Sequence, residues 1–394
     1  MSTYVRHISH REKPLGGELR RLDIELTERC NNNCIHCCIN LPVNDKRALK
    51  DEMSLEEIKN ILTQAADLGC LKVRLTGGEP LLRPDFQTIY THSRRLGMRV
   101  LLFTNARLIT PGLAQLFSRI PPLEVIQVTV YGMHEDSYNA NTQQTNAFQS
   151  FWRGVQLLMD YNIPFIVKSV FLPANEDELD ELKIWAKTIP RMDKQPGITM
   201  FYDLRNRLDD PVKNQVIKSL RPAPNEGMKY LFNYHGDFNT IKSHYCKSMT
   251  RLPGVRLFGC KAGKKQLSID AYGRIQACLG LRSPGLVLAR GTHHRDALKF
   301  FRGLKEIEAT NPEYLERCAN CFLRNLCEQC PGKAWTETRT LDTPIEYLCD
   351  VTHALARELG WLDESEKAWK VTNWKDRIIC DLSVQHDDLS HTTA

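Results

Sequence analysis

Six apolar, β-rich segments alternate with amphipathic segments over the first half of the chain. Each apolar segment has strand length and is bounded by turn residues or by a stretch with helical periodicity. Continuous apolar strands joined by helices are typical of a parallel sheet whose faces are covered by helices. The predicted strands occupy residues 22–27, 71–76, 98–104, 124–130, 164–172 and 197–203.

The clearest helix start lies ahead of the second strand. Ser54 and Glu57 form a capping box in front of the apolar positions Ile58, Ile61 and Leu62. Six strand–helix units of this kind predict an α/β fold, a partial (β/α)6 TIM-like barrel with full closure as the alternative. In such barrels the C-terminal ends of the strands carry the chemistry, so residues that follow strands are the first candidates for a site.

The pattern changes after the sixth predicted strand. Residues 246–349 hold eight cysteines with short, irregular connections, which is typical of a small domain held by metal rather than by an apolar core. We therefore expect five parts: an N-terminal extension (1–21), the barrel (22–204), a linker or helical insert (205–245), a small cysteine-rich iron–sulfur domain (246–349), and a closing helix over 351–369 with a polar tail (350–394).

Composition narrows the class of protein. The chain has 394 residues and a formal net charge of +6, which is small for this length and does not indicate nucleic-acid binding. No secretory signal and no apolar run of ~18 residues are present, so we expect a cytoplasmic protein without membrane contact. In that compartment 14 cysteines indicate metal sites rather than disulfides.

The first cysteine group directly follows the first predicted strand. Cys30, Cys34 and Cys37 have the spacing C-x3-C-x2-C. Three thiolates on one tight loop can hold three irons of a 4Fe–4S cube and leave the fourth iron open to a small molecule. Structural zinc sites take four ligands, usually as two C-x2-C pairs, so this loop favours an iron–sulfur cluster.

This loop resembles the signature of the radical S-adenosylmethionine (SAM) family, and Gly77-Gly78-Glu79-Pro80 after the second strand resembles its GGEP motif. The resemblance covers roughly residues 20–200. It implies that Cys30, Cys34 and Cys37 hold a 4Fe–4S cluster whose open iron binds SAM, and that Glu79 lies near the SAM ammonium. It also implies reductive cleavage of SAM to methionine and a 5′-deoxyadenosyl radical, which takes a hydrogen atom from the substrate.

Further candidate residues for contact with the cluster or with SAM are implied only by this resemblance. His36 stands where the family usually has an aromatic residue, and its flat ring can pack against the cluster or adenine. Asn105, after the third strand, is a candidate for bonding the SAM ribose, with a plain turn role as the alternative. Thr129 and Tyr131 end the fourth strand, where SAM contact and packing are both open. Lys168 is a substitute partner for the SAM carboxylate, or a satisfied strand lysine.

The second cysteine group resembles the seven-cysteine SPASM extension, which in its relatives carries auxiliary 4Fe–4S clusters. The gap between the last two closely spaced cysteines is two residues, where the family commonly has three. The resemblance implies two auxiliary clusters, with Cys318, Cys321, Cys327 and Cys349 on the outer one and Cys260, Cys278 and Cys330 on the inner one.

Two questions about these ligands stay open in the sequence. The eighth ligand is expected to be Cys246, or else the inner cluster keeps an open iron that touches substrate. A zinc ribbon formed by Cys318, Cys321, Cys327 and Cys330 is the other interpretation, and it would leave Cys260, Cys278 and Cys349 without a role.

The resemblance also directs the expected function. The stretch from Val130 to Thr142 followed by Phe148 looks most like the peptide-modifying maturases, so we expect a ribosomally made peptide as substrate, for crosslinking, epimerisation or other maturation. The alternatives are a small molecule such as a haem precursor, sulfatase maturation, and a zinc-binding module without catalysis. Sulfatase-type relatives carry an aspartate after the cysteine that corresponds to Cys278, whereas this chain has Leu279.

Two protein partners are expected in addition. A reductant such as flavodoxin or ferredoxin would supply the electron. Because only about twenty residues precede the first strand, we expect a leader peptide, if there is one, to be held by a separate protein or by residues 205–245.

Overall fold

The computed structural model describes residues 17–235, 238–249 and 253–378, and these divide into two compact units. The first unit comprises Met1–Leu220 and Lys261–Arg302, and the second comprises Arg221–Cys260 and Gly303–Ala394. Most of the predicted N-terminal extension and the polar tail from residue 379 lie outside the described residues.

The strands of the described residues all belong to the first unit. In chain order they are β1 (Arg21–Thr27), β2 (Arg29–Cys30), β3 (Leu41–Pro42), β4 (Lys72–Gly77), β5 (Arg99–Thr104), β6 (Leu123–Val130), β7 (Phe165–Val170), β8 (Gly197–Thr199), β9 (Gln266–Ile269), β10 (Ile275–Gln276) and β11 (Val287–Leu288).

The helices cover the chain between and after these strands. In chain order they are α1 (Lys46–Asp51), α2 (Leu55–Asp67), α3 (Phe86–Arg95), α4 (Pro111–Arg119), α5 (Glu135–Thr142), α6 (Ala147–Asp160), α7 (Leu179–Ala186), α8 (Pro211–Ser219), α9 (Pro224–His235), α10 (Phe238–Ser248), α11 (His294–Arg302), α12 (Pro312–Glu316), α13 (Pro331–Thr338), α14 (Glu346–Glu358) and α15 (Trp374–Arg377). Within the described ranges, no helix is long and apolar enough to cross a membrane.

One nine-stranded sheet forms the frame of the first unit. Its order is β11-β10-β9-β1-β4-β5-β6-β7-β8, and the pairs from β1 to β8 are all parallel. The six predicted strands are confirmed, although β8 ends at Thr199, earlier than expected. Because β8 and β11 are the sheet edges in the described chain, the α/β fold is a partial barrel rather than a closed one.

The core lies between this sheet and its helices. Leu22, Ile24 and Leu26 of β1 are fully buried, and so are Val73 and Leu75 of β4. Burying each such side chain contributes about 1.5–3 kcal/mol. The predicted capping box starts α2, since the Ser54 hydroxyl accepts from the Glu57 amide and the Glu57 carboxylate accepts from the Ser54 amide.

The domain boundaries differ from the expectation at two places. Residues 261–302 belong to the first unit because β9 pairs in parallel with β1, so 246–349 is not a single domain. In the segment expected to be a linker or helical insert (205–245), the chain forms α8, α9 and most of α10, in agreement with the helical alternative. The closing helix ends at Glu358, because Gly360 turns the chain with a φ of +72°, rather than running to residue 369.

Candidate active site

The three loop cysteines follow β1 directly, at the C-terminal edge of the parallel strands. Cys34 is buried, and Cys30 and Cys37 are partly buried. The Cys30 sulfur accepts a hydrogen bond from the Asn32 amide at 3.4 Å, and the Tyr131 hydroxyl bonds the Cys34 sulfur. Donors of this kind stabilise the thiolate form, which is the form that binds iron.

The electrostatics around Cys30 and Cys34 favour the protonated thiols until a metal group is bound. Burial raises the pKa of the Cys30 thiol well above its usual value, and the neighbouring Cys34 sulfur and Glu79 carboxylate raise it further. Burial also raises the pKa of Cys34 to about 12. Metal ions that bind these sulfurs must therefore displace their protons.

Buried ion pairs fix the residues just before Cys30. The Arg29 guanidinium donates to both carboxylate oxygens of Glu52, at 2.8 and 3.0 Å, and the Thr27 hydroxyl donates to the same carboxylate at 2.5 Å. The fully buried Glu28 accepts a hydrogen bond from Arg282 at 2.7 Å. Loss of one partner would leave a buried charge unpaired, so the base of the loop is held rigidly.

The glycines of the GGEP segment allow two chain segments to approach closely. Gly77 has a φ of +136°, which residues with a side chain rarely adopt, and a Cβ on Gly78 would lie 2.3 Å from the Arg29 carbonyl oxygen. The Gly78 amide donates to the Thr27 carbonyl at 2.7 Å, and the Glu79 amide donates to the Arg29 carbonyl at 2.8 Å. This segment therefore runs along the start of the cysteine loop.

Glu79 is fully buried and its carboxylate is held by three donors. It accepts from the Leu81 amide at 3.1 Å, the Thr104 hydroxyl at 2.9 Å and the Asn105 amide at 2.8 Å, while Pro80 opens the short 3-10 helix Pro80–Leu82. Burial raises the pKa of Glu79 to about 7, and these hydrogen bonds oppose the rise. A neighbouring ammonium would stabilise the ionised form.

The end of β5 ties this carboxylate to the cysteine loop. The Asn105 side-chain amide donates to Asn31 Oδ1 at 2.7 Å and approaches the Cys30 sulfur at 3.8 Å. Arg107 donates to the Asn31 carbonyl at 2.5 Å. The predicted residue Asn105 therefore contacts the loop directly, whereas the sequence reasoning missed Arg107.

Aromatic rings line another side of the loop. The His36 ring lies 5.9 Å from the ring of Tyr131 and 5.2 Å from that of Tyr202, and Tyr131 meets Tyr138 edge-on at 5.7 Å. Burial lowers the pKa of His36 to about 4, so this ring is neutral at physiological pH.

Four buried polar atoms around the loop have no hydrogen-bond partner among the described residues. They are Asn32 Nδ2, His36 Nδ1, the Tyr138 hydroxyl and Asn141 Oδ1. Buried polar groups are normally satisfied by protein, water or ligand. Three thiols, a buried carboxylate and unsatisfied polar atoms together fit an iron–sulfur group with a polar ligand.

Thr129 and Lys168 are neighbours on β6 and β7, paired in register. Lys168 is partly buried, and burial together with the nearby Arg74 charge lowers its pKa. Neither side chain makes a hydrogen bond or ion pair to any residue within the described ranges. The expected SAM contacts of both residues therefore stay predictions.

Two further cations hold the far end of the loop, and no sequence pattern singled them out. Arg205 donates to the Cys37 carbonyl and to Asn40 Oδ1, both at 3.2 Å, and pairs with Asp209 at 2.8 Å. Lys213 of α8 donates to Asn40 Oδ1 at 2.9 Å. Both lie in the segment that was expected to be a linker or helical insert.

A cavity of about 250 Å³ in the second unit contains most of the remaining cysteines. The cysteines that line it are Cys260, Cys318, Cys321, Cys327, Cys330 and Cys349. The Cys349 sulfur lies 3.5 Å from an Arg317 nitrogen and 3.6 Å from His353 Nδ1. Burial raises the pKa of Cys318 to about 12 and that of Cys349 to about 11.

Two other predicted ligands lie apart from this cavity. Cys278 follows β10 in the first unit. Cys246 is disulfide-bonded, and a sulfur in a disulfide cannot ligate iron, so the structure is incompatible with Cys246 as the eighth cluster ligand.

The described chain has no site for a single metal ion, since no three His, Cys, Asp or Glu side chains converge on one point. A 4Fe–4S cube does not need such a site, because each of its irons takes one thiolate.

Comparison with known families identifies the first unit. Residues 24–186 match the family model described as the radical SAM superfamily, and this span includes the cysteine loop and the GGEP segment. The chain carries a radical SAM domain. The superfamily resemblance stated from these motifs is thereby confirmed, and it implies a 4Fe–4S cluster and SAM as cofactors of this domain.

Three proteins similar to this chain illustrate the range of similarity. An AdoMet-dependent heme synthase of Methanosarcina barkeri is 23% identical over 80% of this chain and 91% of its own length. A PqqA peptide cyclase of Streptomyces rochei is 43% identical, over 21% of this chain and 22% of its own. The solved structure of native anSMEcpe with bound AdoMet and Cp18Cys peptide has a TM-score of 0.58 at 13% identity, covering 86% of this chain and 96% of that one.

Proposed function

We propose that this radical SAM enzyme abstracts a hydrogen atom from a ribosomally made peptide and so matures it by crosslinking, epimerisation or a related change. When bound, a 4Fe–4S cluster would supply the electron that splits SAM into methionine and a 5′-deoxyadenosyl radical. Cys30, Cys34 and Cys37 would hold that cluster through their thiolates.

One observation carries the proposal for the radical chemistry. The buried Glu79 carboxylate, fixed by three donors, is joined through Asn105 to the loop that bears Cys30. A carboxylate beside a thiolate site suits an amino-acid ligand whose ammonium pairs with Glu79. The neutral rings of His36 and Tyr131 lie side by side and offer flat surfaces to an adenine.

The peptide substrate is supported by two similarities. The solved neighbour that covers most of this chain was crystallised with a peptide, and the short but strong sequence match is to a protein named a peptide cyclase. Sulfatase maturation is disfavoured because Leu279 follows Cys278, where that activity needs a base.

A second candidate substrate is a haem precursor. It is favoured by the Methanosarcina barkeri relative, whose similarity extends over 91% of that protein's length. The two candidates share the same radical-generating step and differ in the substrate from which the hydrogen atom is taken, so product analysis separates them.

We further propose an auxiliary 4Fe–4S cluster in the cavity of the second unit. Cys318, Cys321, Cys327 and Cys349 all line it, and four thiolates are a complete ligand set for such a cluster. A second auxiliary cluster with Cys260, Cys278 and Cys330, an electron donor such as flavodoxin or ferredoxin, and a separate leader-binding protein remain predictions from the resemblance.

Anaerobic reconstitution tests the proposal. We expect bound iron and sulfide, a brown protein, and release of 5′-deoxyadenosine from SAM on addition of dithionite. The triple variant of Cys30, Cys34 and Cys37 to alanine should lose about four irons and all 5′-deoxyadenosine. A wild-type protein that loads iron yet cleaves no SAM would overturn the radical chemistry.

The substrate is tested separately. Synthetic peptides encoded beside the gene, and tetrapyrrole haem precursors, are each incubated with the reconstituted enzyme and SAM. A mass change in a peptide with 5′-deoxyadenosine above the uncoupled level supports the first candidate, whereas conversion of the tetrapyrrole alone would replace it with the second.

A further inference from the structure

Lys213 brings a positive charge to the outer side of the cysteine loop. Its ammonium donates to Asn40 Oδ1 at 2.9 Å and to Asn33 Oδ1 at 3.4 Å, and both asparagines belong to the loop. The ammonium is also close enough to Cys37 and Cys34 for their sulfurs to act on its electrostatics.

This charge differs from the other cations at the loop. Arg205 is neutralised by Asp209, which accepts from it at 2.8 and 3.1 Å. Arg107 donates to loop oxygens and acts on the buried Glu79 carboxylate. Within the described ranges, the Lys213 ammonium makes no ion pair, its two hydrogen-bond partners are neutral amide oxygens, and the Asp210 carboxylate acts on it through space.

A fixed positive charge beside an iron–sulfur cluster affects its reduction. Three thiolates give the bound cluster a net negative charge that grows by one on reduction, so a nearby cation stabilises the reduced form more than the oxidised form. Net charge and hydrogen bonding are established determinants of cluster potential. The effect is strongest where the cation is partly buried, because solvent screens it less.

We propose that Lys213 raises the reduction potential of the cluster held by Cys30, Cys34 and Cys37, through its charge and not only through its hydrogen bonds to Asn33 and Asn40. This inference rests on the proposed function of the loop. Lys213 is a positioning and tuning residue, since it acts on the cluster through the loop and through space rather than as an iron ligand.

The test separates the charge from the hydrogen bond. Lys213→Gln keeps a donor but removes the charge, Lys213→Met removes both, and Lys213→Arg keeps the charge. The matched control is Lys218→Met, an exposed lysine on the last turn of the same helix. Each protein also carries the alanine variants of Cys318, Cys349, Cys260 and Cys278, which remove ligands of both predicted auxiliary clusters so that the loop cluster dominates the signal. Each is titrated with dithionite while electron paramagnetic resonance follows the reduced cluster.

We expect the ratio of reduced to oxidised cluster at a fixed potential to fall about tenfold in Lys213→Gln and Lys213→Met, which for a one-electron couple is ~59 mV. Lys213→Arg and Lys218→Met should titrate as the parent does. An unchanged ratio in Lys213→Gln overturns the inference. So does a variant that loads less iron but titrates normally, since that result assigns Lys213 a structural role only.

Failure of the proposed function has a different result. If the parent protein loads no cluster on the Cys30 loop, no signal of that cluster appears in any of the proteins, and both proposals fall. If the cluster of the parent protein is reduced as expected and the Lys213→Gln and Lys213→Met variants match it, the loop function stands and the tuning role falls.

Discussion

The Asn105 backbone amide donates a 2.8 Å hydrogen bond to the Glu79 carboxylate, and its side-chain amide donates to Asn31 at 2.7 Å. One residue at the end of β5 therefore fixes both the buried carboxylate and the cysteine loop. Since the side chain of Asn105 also approaches the Cys30 sulfur, it couples the two halves of the proposed SAM site.

Asn105→Ala should separate these two roles. The backbone bond to Glu79 remains, but the bond to Asn31 and the contact with Cys30 are lost, so we expect 5′-deoxyadenosine formation to fall at least tenfold, equivalent to about 1.4 kcal/mol. The rate is measured with dithionite on protein of matched iron content. Asn60→Ala, an exposed position on α2, serves as the control, and equal rates for both variants would contradict the coupling.

The affinity for SAM should depend on pH through Glu79. Burial raises the pKa of this carboxyl to about 7, so below pH 7 it is mostly protonated and cannot pair with an ammonium. We expect the dissociation constant of SAM to fall roughly tenfold from pH 6.0 to 7.5, measured by anaerobic equilibrium dialysis. Glu79→Gln should bind weakly with no pH dependence in this range, and a parallel pH dependence in that variant would show that another group is responsible.

Much of this site was accessible from the sequence because its signals are local. The cysteine spacing, the GGEP segment and the apolar strands each occupy a few consecutive residues, and the structure places Cys30, Glu79 and Asn105 at neighbouring strand ends, as parallel strands require. Strand position alone was sufficient to bring them together.

The features that were missed depend on contacts between distant residues. Arg282 reaches Glu28 from 254 positions away, and β9 joins β1 although its run, QLSI, is only four residues long. Arg205 and Lys213 sit in a polar stretch without periodicity, so only the folded chain shows that they hold Asn40. The sequence of a polar segment does not indicate which of its charged side chains contacts the cysteine loop.

The base of the cysteine loop should be sensitive to removal of a single charge. Arg29 and Glu52 are both about 7% exposed and share two hydrogen bonds, so Glu52→Gln leaves the guanidinium without its charge partner. We expect the free energy of unfolding in urea to fall by about 3 kcal/mol. The control is Glu56→Gln, which removes a carboxylate that is 79% exposed and paired with Lys59. It should lower the free energy of unfolding by less than ~1 kcal/mol. Equal losses of stability in the two variants would contradict a larger contribution from the buried pair.

The cavity of the second unit gives a direct test of the auxiliary cluster. Cys349 lies on its wall, and its sulfur is within 3.5 Å of an Arg317 nitrogen, which would stabilise a thiolate there. Cys349→Ala should therefore lower the iron content by about four atoms per chain, while the loop cluster still supports cleavage of SAM without substrate.

The matched control is Cys70→Ala, a buried cysteine whose thiol donates to the Lys72 carbonyl at 3.1 Å and which belongs to no proposed cluster. Its iron content should equal that of the parent protein. Iron and sulfide are counted on anaerobically reconstituted samples, with zinc measured in parallel. If Cys349→Ala loses zinc in place of iron, the cavity is a zinc site and the auxiliary cluster is excluded, because four thiolates cannot hold both groups at once.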